Sequence, residues 1–224
     1  MAELVVAFDL GSGREALALA TRLPGLKWAK IGPMLHVREG PPLVREFTAR
    51  GVRVFLDLKW HDIPSAVAGA VAAACEQGVA MATVHTLGGP AMLAAAARAA
   101  GDVALLGVTV LTSHDAADFE RIVGRGVPDL GFEAERLARL ALAAGLAGVV
   151  ASGHELGLLR EALGPGPLIA VPGIRAPGEA VGDQARTIAA AAAVRGGATH
   201  LVVGRPITGA ADPAGVYQRL VESL

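Results

Sequence analysis

Eight short apolar segments alternate with alanine- and leucine-rich segments along the 224 residues of this chain. Apolar runs of this length are typical of buried strands, and a regular order of strand then helix predicts a parallel α/β fold. Eight such units in roughly this length match a single-domain (β/α)8 TIM barrel over residues 1–224. The predicted strands cover residues 4–9, 26–31, 52–59, 81–85, 103–111, 148–152, 168–171 and 200–204.

A doubly wound open sheet is the main alternative for an alternating chain. Its dinucleotide-binding form carries a glycine fingerprint at the first strand–helix turn. Gly11 and Gly13 supply the first two glycines, but Ala16 stands where the third belongs. We therefore favour the barrel and interpret residues 11–13 as a turn before a helix. The longer gap between the fifth and sixth strands predicts two helices, at residues 115–124 and 133–144.

Composition excludes several classes of partner. The chain is 53% hydrophobic with a net charge of −1, and no basic stretch indicates nucleic acid binding. No apolar run approaches the roughly 20 residues that span a bilayer, and the first residues lack the basic region of a signal peptide. We therefore expect a cytoplasmic protein without a membrane partner. The histidines lack the spacing and acidic neighbours of a zinc site, which argues against a metal.

Polar residues collect where the predicted strands end. In a barrel of parallel strands these ends share one face, and that face carries the active site in essentially every characterised example. The sequence therefore predicts a site built from several strand ends: Asp9, Lys30, Asp57, Lys59, His85, Thr112, Ser113, Ser152, Arg175, Gln184, Gly204 and Arg205. For His85, a packing role is the alternative to a place in the pocket.

The densest charge lies at residues 57–62, where two aspartates and a lysine directly follow an apolar run. Strand alternation predicts that Asp57 and Lys59 point to the same side, towards the barrel mouth. Only three of the twenty basic residues are lysines, and lysine, unlike arginine, can transfer a proton at working pH. Asp62 can reach the same mouth or that of a neighbouring subunit. The alternative is an ion pair that only closes the barrel interior.

The segment at residues 172–184 is long and glycine-rich, and it predicts a mobile lid over the site. Together with Gly204 and Arg205 it follows the seventh and eighth strands, which is the usual phosphate site of such barrels. Backbone N–H groups and an arginine fork can bind a phosphate dianion there. The alternative is an ordinary flexible loop with surface arginines.

These residues together resemble the orotidine 5′-phosphate decarboxylase family over nearly the whole chain. The most specific element is the motif Asp57-x-Lys59-x-x-Asp62-Ile63-Pro64. Further matching segments are Phe8-Asp9, Lys30-Ile31-Gly32, Leu111-Thr112-Ser113, Val171-Pro172-Gly173-Ile174-Arg175, Gln184 and Val203-Gly204-Arg205-Pro206-Ile207. The resemblance implies a homodimeric barrel that converts orotidine 5′-phosphate to UMP without a metal or organic cofactor and shares Asp62 across the dimer interface.

The resemblance also implies a role for each matching residue. Lys30, Asp57, Lys59 and Asp62 correspond to the charged tetrad of the family, with Lys59 as the proton donor to C6 of the pyrimidine. The implied substrate contacts are Asp9 and Lys30 at the ribose, Thr112 and Ser113 beside the base, Gln184 between base and phosphate, Arg175, Gly204 and Arg205 at the phosphate, and Ile63 and Pro172 within the matching motifs. One position departs from the family, because Ala66 stands where a threonine is common. This puts a hydroxyl contact from the partner subunit in question.

Two other functions stay open at this point. A sister group of barrel enzymes, resembling 3-keto-gulonate 6-phosphate decarboxylase or hexulose phosphate synthase, shares the D-x-K-x-x-D core but uses magnesium. Ile63-Pro64, Thr112-Ser113 and Gln184 favour a pyrimidine over the open-chain sugar of that group. A barrel that binds a phosphate ligand without catalysis is the other alternative, and the intact set of charges argues against it.

Overall fold

A closed barrel of parallel strands forms the centre of the molecule. The structure, a computed structural model, describes residues 2–175 and 188–224. Within those ranges the strands are β1 (Glu3–Ala7), β2 (Trp28–Ile31), β3 (Arg53–Trp60), β4 (Met81–His85), β5 (Ala104–Val108), β6 (Gly148–Val150), β7 (Leu168–Val171), β8 (Ile174–Arg175), β9 (Ile188–Ala189) and β10 (His200–Val203). The barrel closes in the order β1-β10-β7-β6-β5-β4-β3-β2, and β8 pairs with β9 separately. The predicted (β/α)8 barrel is confirmed.

Helices connect the strands and cover the barrel. They are α1 (Gly13–Thr21), α2 (Pro33–Ala49), α3 (Pro64–Glu76), α4 (Gly89–Ala99), α5 (Ala116–Val123), α6 (Leu130–Ala143), α7 (Leu156–Leu163), α8 (Ala190–Arg195), α9 (Arg205–Thr208) and α10 (Pro213–Glu222). The Ser12 side chain caps α1, as expected of a turn before a helix, and α5 and α6 confirm the two helices predicted after the fifth strand. No helix in the described ranges is long and apolar enough to cross a bilayer.

Some predicted strands end earlier than their apolar pattern. The fifth was predicted to continue to residue 111, but β5 ends at Val108, and β6 ends at Val150 instead of residue 152. Thr109 and Val110 stay buried beyond the end of β5, and Val110 packs in a separate cluster with Phe119 of α5. Burial therefore continues after strand pairing stops, and the apolar pattern alone overestimates the strand length.

Side chains of each strand alternate between the barrel interior and the surrounding helices. The interior positions form a core of their own: Val5, Ala7, Trp28, Phe55, Met81, Leu106, Ala170 and Val202. Their neighbours along the strands, such as Val6, Val54 and Leu56, belong to the larger core between strands and helices. Apolar side chains therefore fill the middle of the barrel interior, and the cavity lies above them at the carboxyl ends of the strands.

A polar cluster closes the barrel at the amino ends of its strands. Arg53 donates to Glu3 with an Nη2–Oε2 distance of 2.6 Å, and its guanidinium lies 4.3 Å from the centre of the Trp28 ring. The indole N–H of Trp28 also donates to Glu3, and the His200 ring meets Trp28 edge-on at 5.2 Å. These contacts pair the polar groups of this end with one another, so the cluster stabilises the amino end of the barrel.

Gly148 allows β6 and β7 to approach closely. A Cβ atom at this position would lie 2.0 Å from the carbonyl oxygen of Leu168, which cannot move without its strand. We expect Gly148→Ala to lower the free energy of unfolding by roughly 2–4 kcal/mol, because the strands must separate or bend. Urea unfolding followed by circular dichroism measures this change.

Gly157 is the matched control for that substitution. It is exposed on α7, and a Cβ atom there would meet nothing within 4 Å. Gly157→Ala should raise the free energy of unfolding by up to about 1 kcal/mol, since alanine is the better helix former. An alanine at position 148 that is tolerated as well as one at position 157 would contradict the close approach of the strands.

Candidate active site

Charged residues form the uppermost interior layer of the barrel, at the carboxyl ends of β1, β2 and β3. Asp9, Lys30 and Asp57 each follow, by two positions, an interior residue of the same strand: Ala7, Trp28 and Phe55 respectively. The strand register sets Ala7 beside Lys30 and Lys30 beside Phe55. Alternation along adjacent parallel strands therefore directs the three charged side chains to the same mouth.

Two lysines and two aspartates alternate in one chain of ion pairs. Lys30 Nζ lies 3.1 Å from Asp9 Oδ1 and 3.5 Å from Asp57 Oδ2, and Lys59 Nζ lies 2.8 Å from Asp57 Oδ1. The side chains of Lys30 and Asp57 are 11% and 13% exposed, whereas that of Lys59 is 34% exposed. Lys59 therefore carries the more accessible of the two ammonium groups.

The surroundings of Asp57 keep its carboxylate ionised. Burial by itself would raise the pKa of this carboxyl, whereas the positive charges of Lys30 and Lys59 lower it. Hydrogen bonds to Oδ1 from Lys59 Nζ and Thr83 Oγ1, at 2.8 and 2.9 Å, act in the same direction, so the pKa lies below its usual value. A buried anion thus fixes two cations at the mouth.

The backbone at Lys59 departs from the regular strand that alternation assumes. The register with β4 shifts between Leu56 and Trp60, so that three residues of β3 lie opposite Thr83 alone. Lys59 has a φ of 51°, and within the described ranges no other non-glycine residue has a positive φ. Such a bulge redirects side chains. The prediction that Lys59 faces the barrel mouth together with Asp57 agrees with the structure. Its premise of a regular strand is wrong at this residue.

Gly32 leaves room for the ion pair between the first two strands. A Cβ atom on Gly32 would lie 2.9 Å from Asp9 Oδ1 and 3.3 Å from Lys30 Nζ. Any larger residue would press on this pair, so the short Lys30-Ile31-Gly32 segment both supplies a charge and makes space for its partner.

A cavity of about 430 Å³ opens above the charged layer. This volume lies in the range of small-molecule sites. Within the described part of the chain, eight residues of the predicted site line the cavity: Asp9, Lys30, Asp57, Lys59, Thr112, Pro172, Gly204 and Arg205. Apolar residues form the rest of the wall, among them Phe55, Val108, Val150, Ile174 and Val202. A ligand in this cavity would contact fixed charges and an apolar surface at the same time.

Three other residues of the predicted site, Asp62, Ile63 and Ser113, do not line this cavity. Asp62 and Ser113 are exposed, Ile63 is 65% exposed, and the Asp62 carboxylate accepts a hydrogen bond from the Ile63 N–H at 2.6 Å. Arg175 lies in β8, where only its backbone is described. Gln184 and most of the predicted lid fall in residues 176–187, outside the described residues.

Ser152 and His85 have packing roles. Ser152 is fully buried and caps the 3-10 turn at Gly153–Glu155. The His85 ring stacks on that of His61 with centres 5.7 Å apart, and its Nδ1 accepts a hydrogen bond from the Leu87 N–H. Burial first, and then the nearby positive charges, lower the pKa of His85 to about 4. Two roles were considered for His85, a place in the pocket and packing. Its contacts favour packing.

Sequence reasoning missed Thr83, which is completely buried in β4. Its hydroxyl lies 2.9 Å from both Asp57 Oδ1 and the Lys59 backbone nitrogen. Alternation from Met81, an interior residue of the same strand, gives a signal for Thr83. A polar residue at an interior position needs a polar partner, and the charges at the mouth are the available ones.

The fold and the cavity define a (β/α)8 enzyme whose mouth carries a buried lysine–aspartate array. Comparison with known families agrees with this class. The chain belongs to the Orotidine 5′-phosphate decarboxylase / HUMPS family, whose model matches residues 2–220. The family resemblance inferred from the motifs is thereby confirmed.

Individual relatives cover the chain almost completely. It is 50% identical over 226 residues to the orotidine 5′-phosphate decarboxylase of Alkalilimnicola ehrlichii, with 99% of this chain and 95% of that relative covered. It is 52% identical over 216 residues to that of Halorhodospira halophila, with 94% and 91% covered. The crystal structure of orotidine 5′-phosphate decarboxylase from Lactobacillus acidophilus superposes with a TM-score of 0.89 at 30% identity, covering 100% of this chain and 99% of that one.

The low pKa of His85 predicts a loss of stability in mild acid. An unfolded histidine takes up its proton near pH 6.5, whereas His85 in the folded chain does so only at about pH 4. Between these values the unfolded state binds more protons, so the free energy of unfolding falls as pH is lowered through this window. His85→Asn keeps an acceptor for the Leu87 N–H but cannot be protonated, so the variant should lose less stability between pH 6.5 and 4 than the wild type.

Thermal unfolding at several pH values tests this expectation. His36 and His200, whose pKa values burial also lowers, should leave part of the pH dependence in the variant. His154→Asn is the matched control, because His154 is exposed and should leave the pH dependence unchanged. The assignment to His85 is wrong if its variant and the control have the same pH profile.

Proposed function

We propose that this protein is a homodimeric orotidine 5′-phosphate decarboxylase that forms UMP and CO2 without a metal or organic cofactor. One observation carries the proposal: the ion-pair chain of Asp9, Lys30, Asp57 and Lys59 at the barrel mouth. The two relatives that are 50% and 52% identical to this chain are named orotidine 5′-phosphate decarboxylases, which supports orotidine 5′-phosphate as the substrate. That residues 1–224 act as one domain, and that the enzyme is cytoplasmic, stay predictions.

Loss of CO2 from C6 of the pyrimidine creates the main chemical difficulty. The bond between C6 and the carboxylate breaks, CO2 departs, and the electron pair stays on C6 as a vinyl carbanion that the ring cannot delocalise. Fixed positive charge beside C6 is then the principal source of stabilisation. In this proposal the Lys59 ammonium supplies that charge and donates a proton to C6, which gives UMP and a neutral amine that regains a proton from solvent.

The ion-pair chain supports this role for Lys59. Asp57 Oδ1 accepts from Lys59 Nζ at 2.8 Å, and Lys30 lies 3.5 Å from the other carboxylate oxygen. Because these groups are already paired and mostly buried, they need little reorganisation while negative charge develops at C6. Repulsion between Asp57 and the substrate carboxylate would raise the energy of the bound substrate.

Several features of the mouth support a reaction without a metal. Among the described residues, two carboxylates line the cavity, those of Asp9 and Asp57, and each is already paired with an ammonium group. The two ammonium groups would repel a divalent cation at this place.

The other substrate contacts follow the family resemblance. The proposed assignments are Asp9 and Lys30 to ribose hydroxyls, Thr112 and Ser113 to the base, Gln184 to base and phosphate, and Arg175, Gly204 and Arg205 to the phosphate. Ile63 and Pro172 are proposed substrate contacts without an assigned group. The positions of Thr112, Pro172, Gly204 and Arg205 on the same cavity as the charged array support this arrangement. Phosphate bound at the rim would supply binding energy remote from the reacting carbon.

An exposed apolar surface beside the mouth supports a dimer. Met34 and Val37 of α2 and Ile63 before α3 are 47%, 84% and 65% exposed. Contact with a second copy would remove these side chains from water. Asp62 directly precedes Ile63 and is exposed, so the same contact would place Asp62 at the interface with the second copy. This supports the proposal that each site uses Asp62 of the other subunit.

Substitution of Lys59 tests the chemical proposal. The loss of orotidine 5′-phosphate absorbance should be observed with the wild type in the presence of EDTA, because the reaction needs no metal. Lys59→Ala should lower kcat by about 10³-fold or more, since it removes both the proton donor and the fixed charge. Lys27→Ala is the matched control, because Lys27 is an exposed lysine before β2 and should leave kcat unchanged.

Each other result has a distinct meaning. Activity that EDTA abolishes would favour magnesium-dependent sugar-phosphate chemistry, the alternative that the family name leaves open. Unchanged turnover in Lys59→Ala would contradict the proposal that Lys59 donates the proton to C6. Tight UMP binding by a wild type that does not consume orotidine 5′-phosphate would indicate a binding barrel.

A mixture of two inactive variants tests the sharing of Asp62. Lys59→Ala and Asp62→Ala should each be inactive alone, but a mixed dimer has one site in which Lys59 and the Asp62 of the other subunit are both intact. After equal amounts are mixed and allowed to exchange subunits, about a quarter of all sites should be complete in a symmetric dimer. The measurement is the recovery of decarboxylation to roughly that fraction of the wild-type rate.

A mixture of Lys59→Ala with Asp57→Ala is the control. Recovery should fail there, because both residues belong to the same subunit's site in the structure. Two other results would contradict the shared site. If Asp62 acts within its own subunit, the mixture with Asp62→Ala will fail in the same way. A wild type that sediments as a monomer in a sedimentation velocity experiment would contradict the proposed dimer.

A further inference from the structure

A buried threonine links the two central charges to the backbone of β3. The Lys59 backbone N–H donates to Thr83 Oγ1 at 2.9 Å, Thr83 Oγ1 donates to Asp57 Oδ1 at 2.9 Å, and Lys59 Nζ donates to the same Oδ1 at 2.8 Å. These bonds form a closed ring that begins and ends at Lys59. Thr83 is completely buried and does not line the cavity, so it contacts no ligand there.

The donors and acceptors of this ring have only one arrangement. A backbone N–H can only donate, so the Thr83 hydroxyl must accept from Lys59. An ionised carboxylate can only accept, so the single hydroxyl proton of Thr83 must point to Asp57. The low pKa of Asp57 agrees with this direction, because a donated hydrogen bond favours the charged form. Serine could make both bonds, whereas valine, which has nearly the same shape as threonine, could make neither.

The ring coincides with the shift of register in β3. Asp57, Leu58 and Lys59 lie opposite Thr83 alone, and Lys59 adopts a φ of 51° that is unfavourable for a residue with a Cβ atom. The Thr83 hydroxyl gives the Lys59 N–H a partner in this irregular segment. It therefore holds the backbone of Lys59 from one side and the carboxylate that pairs with its ammonium from the other.

We propose that Thr83 is a positioning residue that holds the Lys59 ammonium at the reacting carbon. The inference rests on the proposed decarboxylase function. Without the hydroxyl, Asp57 could rotate and the backbone at Lys59 could relax, so the ammonium would no longer stay where charge develops. Thr83 does not reach the cavity wall and lies in β4, away from Gly204 and Arg205, so substrate binding should change little.

Kinetics of Thr83→Val and Thr83→Ser test the positioning role. Thr83→Val should lower kcat by about 10- to 100-fold with a KM within about threefold of the wild type, because the loss concerns the transition state and not binding. Thr83→Ser restores the hydroxyl and should bring kcat back to within about threefold of the wild type. The valine variant should also lose activity at a higher pH on the acid side, since Asp57 loses a hydrogen bond to its charged form.

Thr86→Val separates positioning from a merely structural effect. Thr86 is equally buried, but its hydroxyl donates to the Val108 carbonyl at 2.7 Å and not to a charged group. This control should lose stability to thermal unfolding while kcat and its pH profile stay near those of the wild type. Thr83→Ala also removes the hydroxyl and carries the same expectations as Thr83→Val, so it replaces the valine variant if that protein does not fold.

Three outcomes would overturn the inference while the wild type still decarboxylates. These are full turnover in Thr83→Val or Thr83→Ala, an equal loss of kcat in Thr83→Val and Thr86→Val, and a failure of Thr83→Ser to recover kcat. A wild type that does not decarboxylate orotidine 5′-phosphate would instead refute the proposed function, so the two failures are distinct.

Discussion

Closure of eight parallel strands decides where charge can collect in this molecule. One end of the barrel is closed by the paired polar cluster of Glu3, Trp28 and Arg53, and the middle is filled by the apolar interior core. Only the carboxyl ends of the strands remain open, and the interior positions there carry charge. Because these charges stand on an apolar layer, their principal partners are one another, and Coulomb attraction between them is stronger than it would be at an exposed surface. The ion-pair chain from Asp9 to Lys59 is the direct consequence of that placement.

Local periodicity made much of this arrangement predictable from the sequence. The order of strands and helices follows from apolar runs separated by helical segments, and the positions of Asp9, Lys30 and Asp57 follow from alternation along short strands. The ends of strands were less predictable, since Thr109 and Val110 stay buried after pairing stops. Asp57 and Lys59 also marked the mouth correctly, because charged side chains at the carboxyl end of a buried strand need polar partners or water.

What the sequence could not show depends on contacts between distant segments. The bulge at Lys59 arises from the register between β3 and β4, which are separated by a whole helix, and no pattern within residues 53–60 indicates a positive φ at a lysine. The role of Thr83 depends on the same register. Asp62 illustrates the opposite limit: it is three residues from Lys59 in the sequence, yet it is exposed and does not line the cavity of its own chain. Closeness along the chain therefore did not establish a shared site, and only a second subunit would make that motif act as one unit.

The strained backbone at Lys59 and the buried charge at Asp57 can be understood together. A lysine in a regular strand would be free to choose the rotamer that best pairs its ammonium with any nearby carboxylate or with water. At the bulge the backbone direction is fixed by the register of β3 and β4, and the carboxylate partner is fixed by Lys30 and Thr83. The Lys59 side chain is thus constrained at both of its ends while it remains 34% exposed. Strained residues persist only where their surroundings hold them, and such surroundings are common at functional sites. In the proposed reaction, a cation that meets a short-lived carbanion would need a fixed position more than the strongest ion pair, and the irregular strand would supply that position.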